Sequence, residues 1–544
     1  MTDRCFCVFE GGGAKGIAHV GALAALEESG LDLCGFAGTS AGAVIAALAA
    51  AGYRSGELIN RSSTVLDLVD LDPSNIWSGD AFDPAGRPHR LFGPIGWLGI
   101  LAARGSGKIL LAILMVAILM TPAALASWSS VPRAAIFYCG IAALFVVFLG
   151  LSLVVAGLAS LKSFERGLNQ LLRLRLASRL TKHPPHHARI SESVTFEDMK
   201  NAGCPPLRVV AADISSRELR LFSYESSPKD GVASAVAASV CIPIIFKPWK
   251  IDSSLYLDGG LVSNLPAWAF DAERALDRDA WTAVVQVGDT HTGSRPWGLG
   301  ILFAGIMTGI FGSGLLNIRN VDRLKAVRLK LRLKLLQFDP GLPMACEIVD
   351  DARLRCLERL VYQLRDVPLQ MKDICERIGL RAERIINLAL RTQEKPAFRG
   401  RLRVSLLVPT KDDPSSLSAE FQHGFEDCTD ERVRLPMQGS FAGQALEEGE
   451  PLYLDSRDSS WASYLARPQD RWLRRLIWPE MRWALCVPYV NREAGISLVA
   501  TIDSNAYLDV EDDLVDVTMA SISDAIVTML DEFLPKEAFG DGGS

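Results

Sequence analysis

The sequence predicts an α/β fold with a mostly parallel central sheet, interrupted by a two-helix transmembrane hairpin and followed by a smaller α+β domain. From Cys5 to about Tyr53 the chain alternates strand, Gly-rich turn, helix, strand, sharp turn and helix, which is typical of a parallel α/β sheet. Two long apolar runs without charge, 109–126 and 134–161, predict the hairpin. From Arg401 onward, short strands and a final amphipathic helix predict a separate domain.

The length of 544 residues is too great for one hydrophobic core. The segment from Arg353 to about Lys395 is charged and helix-periodic, with an interruption near Pro368, and it predicts a helical connector. We therefore divide the chain into a first domain, 1–345, which contains the hairpin 109–161, a helical connector, 346–398, a second domain, 399–536, and a flexible tail, 537–544.

The composition argues against several classes of function. A net charge of −6 does not suit a nucleic-acid partner, which needs a concentrated basic surface. The 11 cysteines form no C-x-x-C pair and have no His at zinc-ligand spacing, so we expect reduced thiols, no metal and no cofactor. The chain enters a strand at Cys5 without a signal-peptide pattern, so we expect the parts outside the membrane to lie in the cytoplasm.

The two apolar runs would reach roughly 27 Å and roughly 42 Å as helices, against a hydrocarbon core of about 30 Å. Basic residues flank the pair on both sides, whereas Arg133 alone lies between the runs, so the positive-inside rule places both flanks in the cytoplasm. The alternatives are a buried helix pair in a soluble core and a hairpin that enters one leaflet. The apolar stretch Pro296–Ile318 is either a third membrane segment or a helix on the substrate side or at the membrane surface. Val327–Leu335 alternates basic and apolar residues, which predicts a half-exposed strand with a solvated or lipid-contacting basic face.

A glycine-rich loop follows the first strand, in the stretch FEGGGAKG. Gly11, Gly13 and Gly16 match the G-x-G-x-x-G pattern of dinucleotide-binding loops. That fold needs an acidic residue at the end of the second strand, where this chain has Thr39 and Ser40 instead. The sequence therefore favours a different anion for the backbone amides of the loop.

Ser40 lies in a G-x-S-x-G motif between Gly38 and Gly42, with a strand before it and a helix of small residues after it. This context predicts a nucleophile elbow, a sharp turn that exposes the serine hydroxyl. A serine that only caps the following helix is the alternative.

A serine nucleophile needs a base for its proton and donors for the oxyanion. Asp258, in YLDGG, is the candidate base, although a simple Asp-Gly turn has the same sequence. The chain order also permits a triad of Ser40, Asp258 and His291. The amides of Gly12 and Gly13 are the candidate oxyanion donors.

Four segments, EGGGAKG, GTSAG, AVAASVCIPIIFKPW and LDGGLVSNLP, closely resemble the patatin-like phospholipase family over roughly residues 5–340. The resemblance implies a three-layer α/β/α domain and a catalytic dyad without histidine or metal, in which Ser40 is the nucleophile and Asp258 is the general base. It also implies roles for the glycines: an oxyanion hole of Gly11, Gly12, Gly13 and Gly16, an elbow with Gly38 and Gly42, and an acid motif with Gly259 and Gly260.

The C-terminal region resembles a GAF domain in the segments GSFAGQALEEGEPLYLDS, WALCVPYV and AGISLVATIDS. The resemblance implies an α+β domain that binds a small-molecule ligand or forms a homo-oligomer. A dimerisation module without a ligand is the alternative.

Together these features predict a serine lipid acyl hydrolase of the phospholipase A type, with a membrane glycerophospholipid as substrate and the bilayer as partner. We expect it in a bacterial inner membrane, with both domains on the cytoplasmic side and with regulation by the GAF-like domain. Two alternatives stay open: an acyltransferase that uses the same acyl-enzyme, and a non-catalytic sensor that only binds lipid.

Overall fold

The computed structural model describes residues 4–59, 141, 160–182, 190–243, 245–277, 280–289, 308–309, 317–318, 321, 323–333, 342–410, 413–425, 433–458 and 478–535. The predicted hairpin lies outside these residues except for 141 and 160–161, and so do His291 and most of Pro296–Ile318. In the part of the chain that is described, no helix combines the length and the apolar character needed to cross a membrane. The chain forms two compact units, Met1–Val361 and Tyr362–Ser544.

An eight-stranded sheet organises the first unit. Its strands are β1 (Arg4–Phe9), β2 (Asp32–Thr39), β3 (Leu207–Asp213), β4 (Glu218–Phe222), β5 (Trp249–Ile251), β6 (Ser254–Asp258), β7 (Trp281–Asp289) and β8 (Leu324–Leu331). The order is β5-β6-β3-β2-β1-β7-β8, with β4 also paired to β3. The five strands from β3 to β8 in this order are parallel, as expected, but β4, β5 and β6 pair antiparallel. The sheet is therefore mixed, and the expectation of a mostly parallel sheet is correct for the five strands from β3 to the edge strand β8.

The burial of the strands follows their sequence patterns. In β1 every residue after Arg4 is buried, as a central parallel strand requires when both faces are covered. In β8, Val327, Leu329 and Leu331 are buried while Arg328 and Lys330 are exposed, which confirms a half-exposed strand, although it spans Leu324–Leu331 instead of the predicted Val327–Leu335.

Seven helices of the first unit are described. They are α1 (Ala18–Glu28), α2 (Ala41–Ala51), α3 (Lys162–Lys182), α4 (Phe196–Asn201), α5 (Val232–Ser239), α6 (Asp271–Leu276) and α7 (Leu342–Arg355), with short 3-10 turns at Gly13–Ile17, Ser55–Glu57, Gly259–Leu261 and Ala267–Phe270. Helix α2 packs on β1, β2 and β3, and its small side chains permit this close contact. It ends at Gly52, whose φ of 102° is the left-handed conformation predicted for a glycine stop.

Helices α1 and α7 also approach each other closely. A Cβ added to Gly21 of α1 would lie 2.1 Å from the carbonyl oxygen of Val349 in α7. Because that neighbour is backbone, it has little freedom to move aside, so only glycine fits at this crossing. The first part of the predicted connector is thus packed against the first unit's own helix.

The pairing of β3 brings the two predicted catalytic residues together. Thr39, at the end of β2, pairs with Val210 of β3, and Asp258, at the end of β6, pairs with Ala211. The two partners are consecutive residues of one strand. Ser40 and Asp258 therefore meet at the same level of the sheet, although 217 positions of sequence lie between them.

The second unit contains a six-stranded antiparallel sheet in the order β11-β10-β9-β14-β13-β12. Its strands are β9 (Leu402–Thr410), β10 (Asp413–His423), β11 (Arg434–Pro436), β12 (Leu452–Asp455), β13 (Trp483–Asn491) and β14 (Ile496–Ser504), and its helices are α8 (Val367–Thr392), α9 (Phe441–Glu448) and α10 (Asp512–Phe533). A π-helical segment, Cys356–Asp366, precedes α8.

Helices α8 and α10 share a hydrophobic core with one face of this sheet, including Ile378, Leu406 and Ile526. Pro368 lies in the first turn of α8, directly after the π-helical segment, so the predicted interruption coincides with the change from π-helix to α-helix. The last part of the predicted connector therefore belongs to the core of the second unit. This sheet and its helices fit the expected α+β class, and the GAF-like identity stays a prediction.

Candidate active site

The predicted nucleophile elbow is present between β2 and α2. Ser40 has φ 53° and ψ −125°, a conformation that is strained for a residue with a side chain. A Cβ on Gly38 would lie 2.4 Å from the carbonyl oxygen of Gly42, and one on Gly42 would lie 2.3 Å from the carbonyl oxygen of Phe9. The two glycines of the motif are thus needed for close backbone contacts. They allow the sharp turn at Ser40.

The hydroxyl of Ser40 donates a hydrogen bond of 2.7 Å to Oδ2 of Asp258. Ser40 occupies the N-cap position of α2 but its side chain makes no capping bond, which argues against a purely capping role. Both residues are 5% exposed. The arrangement is that of a serine with a carboxylate base in direct contact.

Backbone groups orient Asp258. Its Oδ1 accepts a hydrogen bond of 2.7 Å from the amide of Gly260, and its own amide donates to the carbonyl of Cys241. A Cβ on Gly259 would lie 2.1 Å from the carbonyl oxygen of Val210. The first glycine after Asp258 therefore permits the approach to β3, and the second supplies a donor that fixes the carboxylate.

Burial raises the pKa of Asp258 from its ordinary value of 3.8 to about 6, while its hydrogen bonds with Ser40 and Gly260 lower the pKa and partly oppose this shift. A base with a pKa near 6 is ionised at neutral pH and still has useful affinity for a proton. The environment therefore suits Asp258 to general-base chemistry.

Ser239, at the end of α5, supports the elbow and was missed by the sequence reasoning. Its Oγ accepts the amide hydrogen of Ser40 at 2.8 Å and donates to the carbonyl of Val210 at 2.6 Å. It lies within the segment AVAASVCIPIIFKPW that carried the resemblance, but only the tertiary contact reveals its function. Because Ser239 accepts the Ser40 N–H, that amide is engaged before any substrate arrives.

The glycine loop lies beside Ser40. A Cβ on Gly11 would lie 3.2 Å from the Cβ of Ser40, and one on Gly16 would lie 2.4 Å from the Cβ of Ala41. Gly12 passes close to Val287, and Gly13 has a φ of 54°, which favours glycine. The structure thus brings the predicted loop and the predicted nucleophile together.

The four glycines differ in the use of their amides. The N–H of Gly11 donates to the carbonyl of Asn264 at 3.0 Å, so it does not point to an oxyanion. In the part of the chain that is described, the N–H groups of Gly12 and Gly13 donate no backbone hydrogen bond of a turn, loop or cap. They are therefore the loop amides best suited to bind a developing negative charge.

The described histidine nearest in sequence to the loop does not fit the role of a base. Nε2 of His19 contacts the carbonyl oxygen of Glu10 at 2.8 Å, and burial lowers its pKa to about 4. The imidazole is thus neutral, and its Nε2 hydrogen is held by a backbone carbonyl. The triad through His291 stays untested, because that residue lies outside the described part of the chain.

A family model for patatin-like phospholipases matches residues 7–271, which include the glycine loop, Ser40 and Asp258. Residues 7–271 belong to the patatin-like phospholipase family. The chain is accordingly a carboxylic-ester hydrolase.

Individual relatives are more distant. The uncharacterized protein YqhO of Bacillus subtilis is 27% identical over 277 residues, which cover 49% of this chain and 67% of that protein. The probable lipid hydrolase 463L of Invertebrate iridescent virus 6 is 35% identical over 77 residues, which cover 14% of this chain and 27% of that protein. The crystal structure of VipD from Legionella pneumophila aligns with a TM-score of 0.34 and 16% identity, over 67% of each chain.

The raised pKa of Asp258 predicts an acid limb in the pH profile of this patatin-like hydrolase. Asp258 must be ionised to accept a proton, so kcat/KM is expected to fall as the pH drops through about 6, well above the ordinary aspartate pKa of 3.8. Steady-state hydrolysis of a soluble ester from pH 4 to 8 measures this ionisation. An acid limb governed only by a pKa near 4 would contradict the assignment.

Proposed function

We propose that this patatin-like protein is a membrane-associated phospholipase A that cleaves acyl esters of glycerophospholipids through a Ser40/Asp258 dyad. The observation that carries the proposal is the buried 2.7 Å hydrogen bond from the Ser40 hydroxyl to Asp258 at a strained elbow. A hydroxyl held by a carboxylate of raised pKa is the pair that nucleophilic ester cleavage requires.

The reaction would begin when the Ser40 hydroxyl loses its proton to Asp258 and its Oγ attacks the ester carbonyl carbon. The carbonyl π pair moves to oxygen, where the amides of Gly12 and Gly13 would stabilise the negative charge. When the carbonyl re-forms, the C–O bond to the lysolipid breaks, and the leaving oxygen takes the proton from Asp258. The products of this half-reaction are the lysolipid and acyl-Ser40.

Water would complete the cycle. Asp258, ionised again, accepts a proton from a water molecule, whose oxygen attacks the acyl carbonyl. Collapse of the second oxyanion breaks the bond to Ser40 Oγ, which recovers the proton from Asp258. A fatty acid leaves, and the free dyad is restored.

Membrane association is supported by two features. The sequence contains the apolar runs of the predicted hairpin, 109–161. In addition, Arg328 and Lys330 are exposed on the edge strand β8. They pair with Gln286 and Gly288 of β7. Both of these β7 residues come after Val285, the partner of Phe9, where β1 ends. The charges of Arg328 and Lys330 thus lie at the carboxyl end of the parallel strands, the same end as the elbow, where they would face anionic lipid headgroups.

The geometry favours an enzyme over a sensor that only binds lipid. A binding protein gains nothing from the strained backbone of Ser40 or from the burial of Asp258, and both features cost stability. An acyltransferase would use the same acyl-enzyme and differ only in the acceptor, which is an alcohol instead of water.

Ser40→Ala and Asp258→Asn are expected to lower fatty-acid release from phospholipid vesicles to background, by at least about 10³-fold. The nucleophile and its base act together, so the loss of either one stops the reaction. Asp258→Asn should fold at least as well as the wild type at pH 8. The stability that Asp258 contributes is present below pH 4 and is lost as the pH rises through about 6, since folding raises its pKa.

Product analysis by mass spectrometry, with and without added alcohols, separates a hydrolase from an acyltransferase.

Matched controls for these variants are Ser216→Ala and Asp252→Asn, which change residues of the same types at exposed or half-buried positions away from the elbow. A fluorophosphonate probe should label the wild type and both controls but not Ser40→Ala. Full hydrolytic activity in Ser40→Ala, or absence of labelling in the folded wild type, would contradict a serine mechanism.

Reversal of charge at the basic face tests the membrane orientation. The variant Lys330→Glu is expected to lose activity on phosphatidylglycerol vesicles by about 10-fold, with little change on a soluble ester, because a cation near an anionic surface is worth about 1 kcal/mol and its reversal adds repulsion. Lys250→Glu, an exposed charge at the opposite end of the strand order, is the control. Equal loss in the two proteins would show that only the net charge matters.

We further propose that the C-terminal unit is a GAF-like domain that regulates hydrolysis by binding a small molecule or a second copy of the chain. Support comes from its separate core and from its six-stranded sheet. A chain that ends at Val361, the last residue of the first unit, is expected to differ at least about 3-fold in kcat/KM from the full chain, a change of about 0.7 kcal/mol. Identical kinetics in two folded proteins, measured across a range of concentrations, would contradict regulation.

A further inference from the structure

A buried polar cluster beneath the glycine loop is not used by the Ser40/Asp258 chemistry. It contains Glu10, the last residue before the loop, and Asn264, six positions after Asp258. Glu10 is 4% exposed and Asn264 is 1% exposed. Burial of a carboxyl group and an amide is costly unless their hydrogen bonds are made, so this cluster needs a physical explanation.

The hydrogen bonds of Glu10 use both oxygens of its carboxyl group. Oε2 accepts the backbone N–H of Val287 at 2.8 Å, and Oε1 accepts from Nδ2 of Asn264 at 3.3 Å. The amide of Glu10 donates in turn to the carbonyl of Val285. The end of β1 is therefore fixed to β7 by backbone and side chain together.

Asn264 binds both backbone polar groups of Gly11, the first glycine of the loop. Its Nδ2 donates to the carbonyl of Gly11 at 3.1 Å, and its backbone carbonyl accepts the N–H of Gly11 at 3.0 Å. A side chain does not fit at position 11, since a Cβ there would lie 2.3 Å from Oδ1 of Asn264 and 3.2 Å from Cβ of Ser40. The peptide groups that lead into Gly12 and Gly13 are thus fixed relative to the nucleophile.

We propose that Glu10 and Asn264 are positioning residues that hold the Gly12 and Gly13 amides at the place where the oxyanion forms, and that Glu10 acts in its ionised state. The proposal rests on the serine mechanism above and assigns residues outside its dyad and its glycines. Because Asn264 belongs to the segment that starts at Asp258, the same contact ties the oxyanion loop to the base.

The donor and acceptor pattern explains why Glu10 must be ionised. Both of its partners, the Val287 N–H and the Asn264 NH₂ group, are donors, so an ionised carboxylate, which carries no hydrogen, matches both best. A protonated carboxyl or a glutamine side chain can turn an O–H or N–H toward one of these two donors. The buried hydrogen bond to that donor is then lost.

The titratable groups around Glu10 come from three elements. Burial raises its pKa to about 7, and the bonds from Val287 and Asn264 and the charges of Arg328 on β8 and Lys15 in the loop lower the pKa and partly oppose this rise. His19 of α1 contacts only the Glu10 backbone carbonyl and stays neutral. A mildly acidic medium would therefore weaken the contact.

The experiment compares Glu10→Gln and Asn264→Ala with the wild type in the full-length chain, on a soluble ester so that membrane binding plays no part. Both variants are expected to lose about 10- to 100-fold in kcat with KM changed less than about 3-fold, since a misplaced donor affects the transition state more than the bound substrate. Labelling of Ser40 by a fluorophosphonate should slow by a similar factor.

The pH profile provides a readout that a merely structural role would not change. Wild-type kcat/KM should show two ionisations, near 7 and near 6, and Glu10→Gln should keep only the lower one, which belongs to Asp258. Leu176→Ala, which opens a cavity in α3 away from the site, is the control. It should lower Tm but leave kcat and the profile unchanged.

The outcomes separate this proposal from the dyad. Folded Glu10→Gln and Asn264→Ala with kcat, labelling rate and pH profile like the wild type would overturn the positioning role even if Ser40→Ala is inactive. Activity in Ser40→Ala would instead overturn the dyad. If Glu10→Gln does not fold, Asn264→Ser must show the loss in kcat, and a normal kcat in that variant would overturn the proposal.

Discussion

The structure of the site depends on one constraint, the direct contact between a buried hydroxyl and a buried carboxylate. A serine and an aspartate that are both 5% exposed can meet at 2.7 Å only if rigid elements hold each of them. Strand β3 provides that rigidity, since consecutive residues of it pair with the end of β2 and with the end of β6. Strand β6 runs antiparallel to β3, from beyond Asp213 back to Ala211, and it ends at Asp258, level with Ser40.

The glycines around this contact follow from the same constraint. Backbone from four segments meets within a few ångströms, and at each crossing a Cβ would strike a neighbour, as at Gly42 against Phe9 and at Gly259 against Val210. The glycines of the motifs are therefore needed where backbone segments approach closely, and not to make the chain flexible. This close approach also explains why the helix after the nucleophile is built from small residues.

The sequence was sufficient for features that are local. The turn chemistry of GTSAG predicts the elbow, and the alternation in Val327–Leu335 predicts the half-exposed strand. The sequence YLDGG made Asp258 a candidate base for Ser40, and the resemblance to the patatin-like family favoured this dyad over a triad with His291. The direction of β6 was missed because a strand's own residues do not show which neighbour it pairs with. Ser239, Glu10 and Asn264 were missed as functional residues because their contacts exist only after folding.

The position of Asn264 has a consequence for control of the enzyme. Five residues separate it from Asp258, so the base and the side chain that holds the oxyanion loop belong to one short segment. A shift of this segment by one or two ångströms would withdraw the proton acceptor and release the anion-binding amides in a single movement. An inactive state of such a site would need no lid over the substrate, because one displacement of this segment disables the base and the oxyanion hole together.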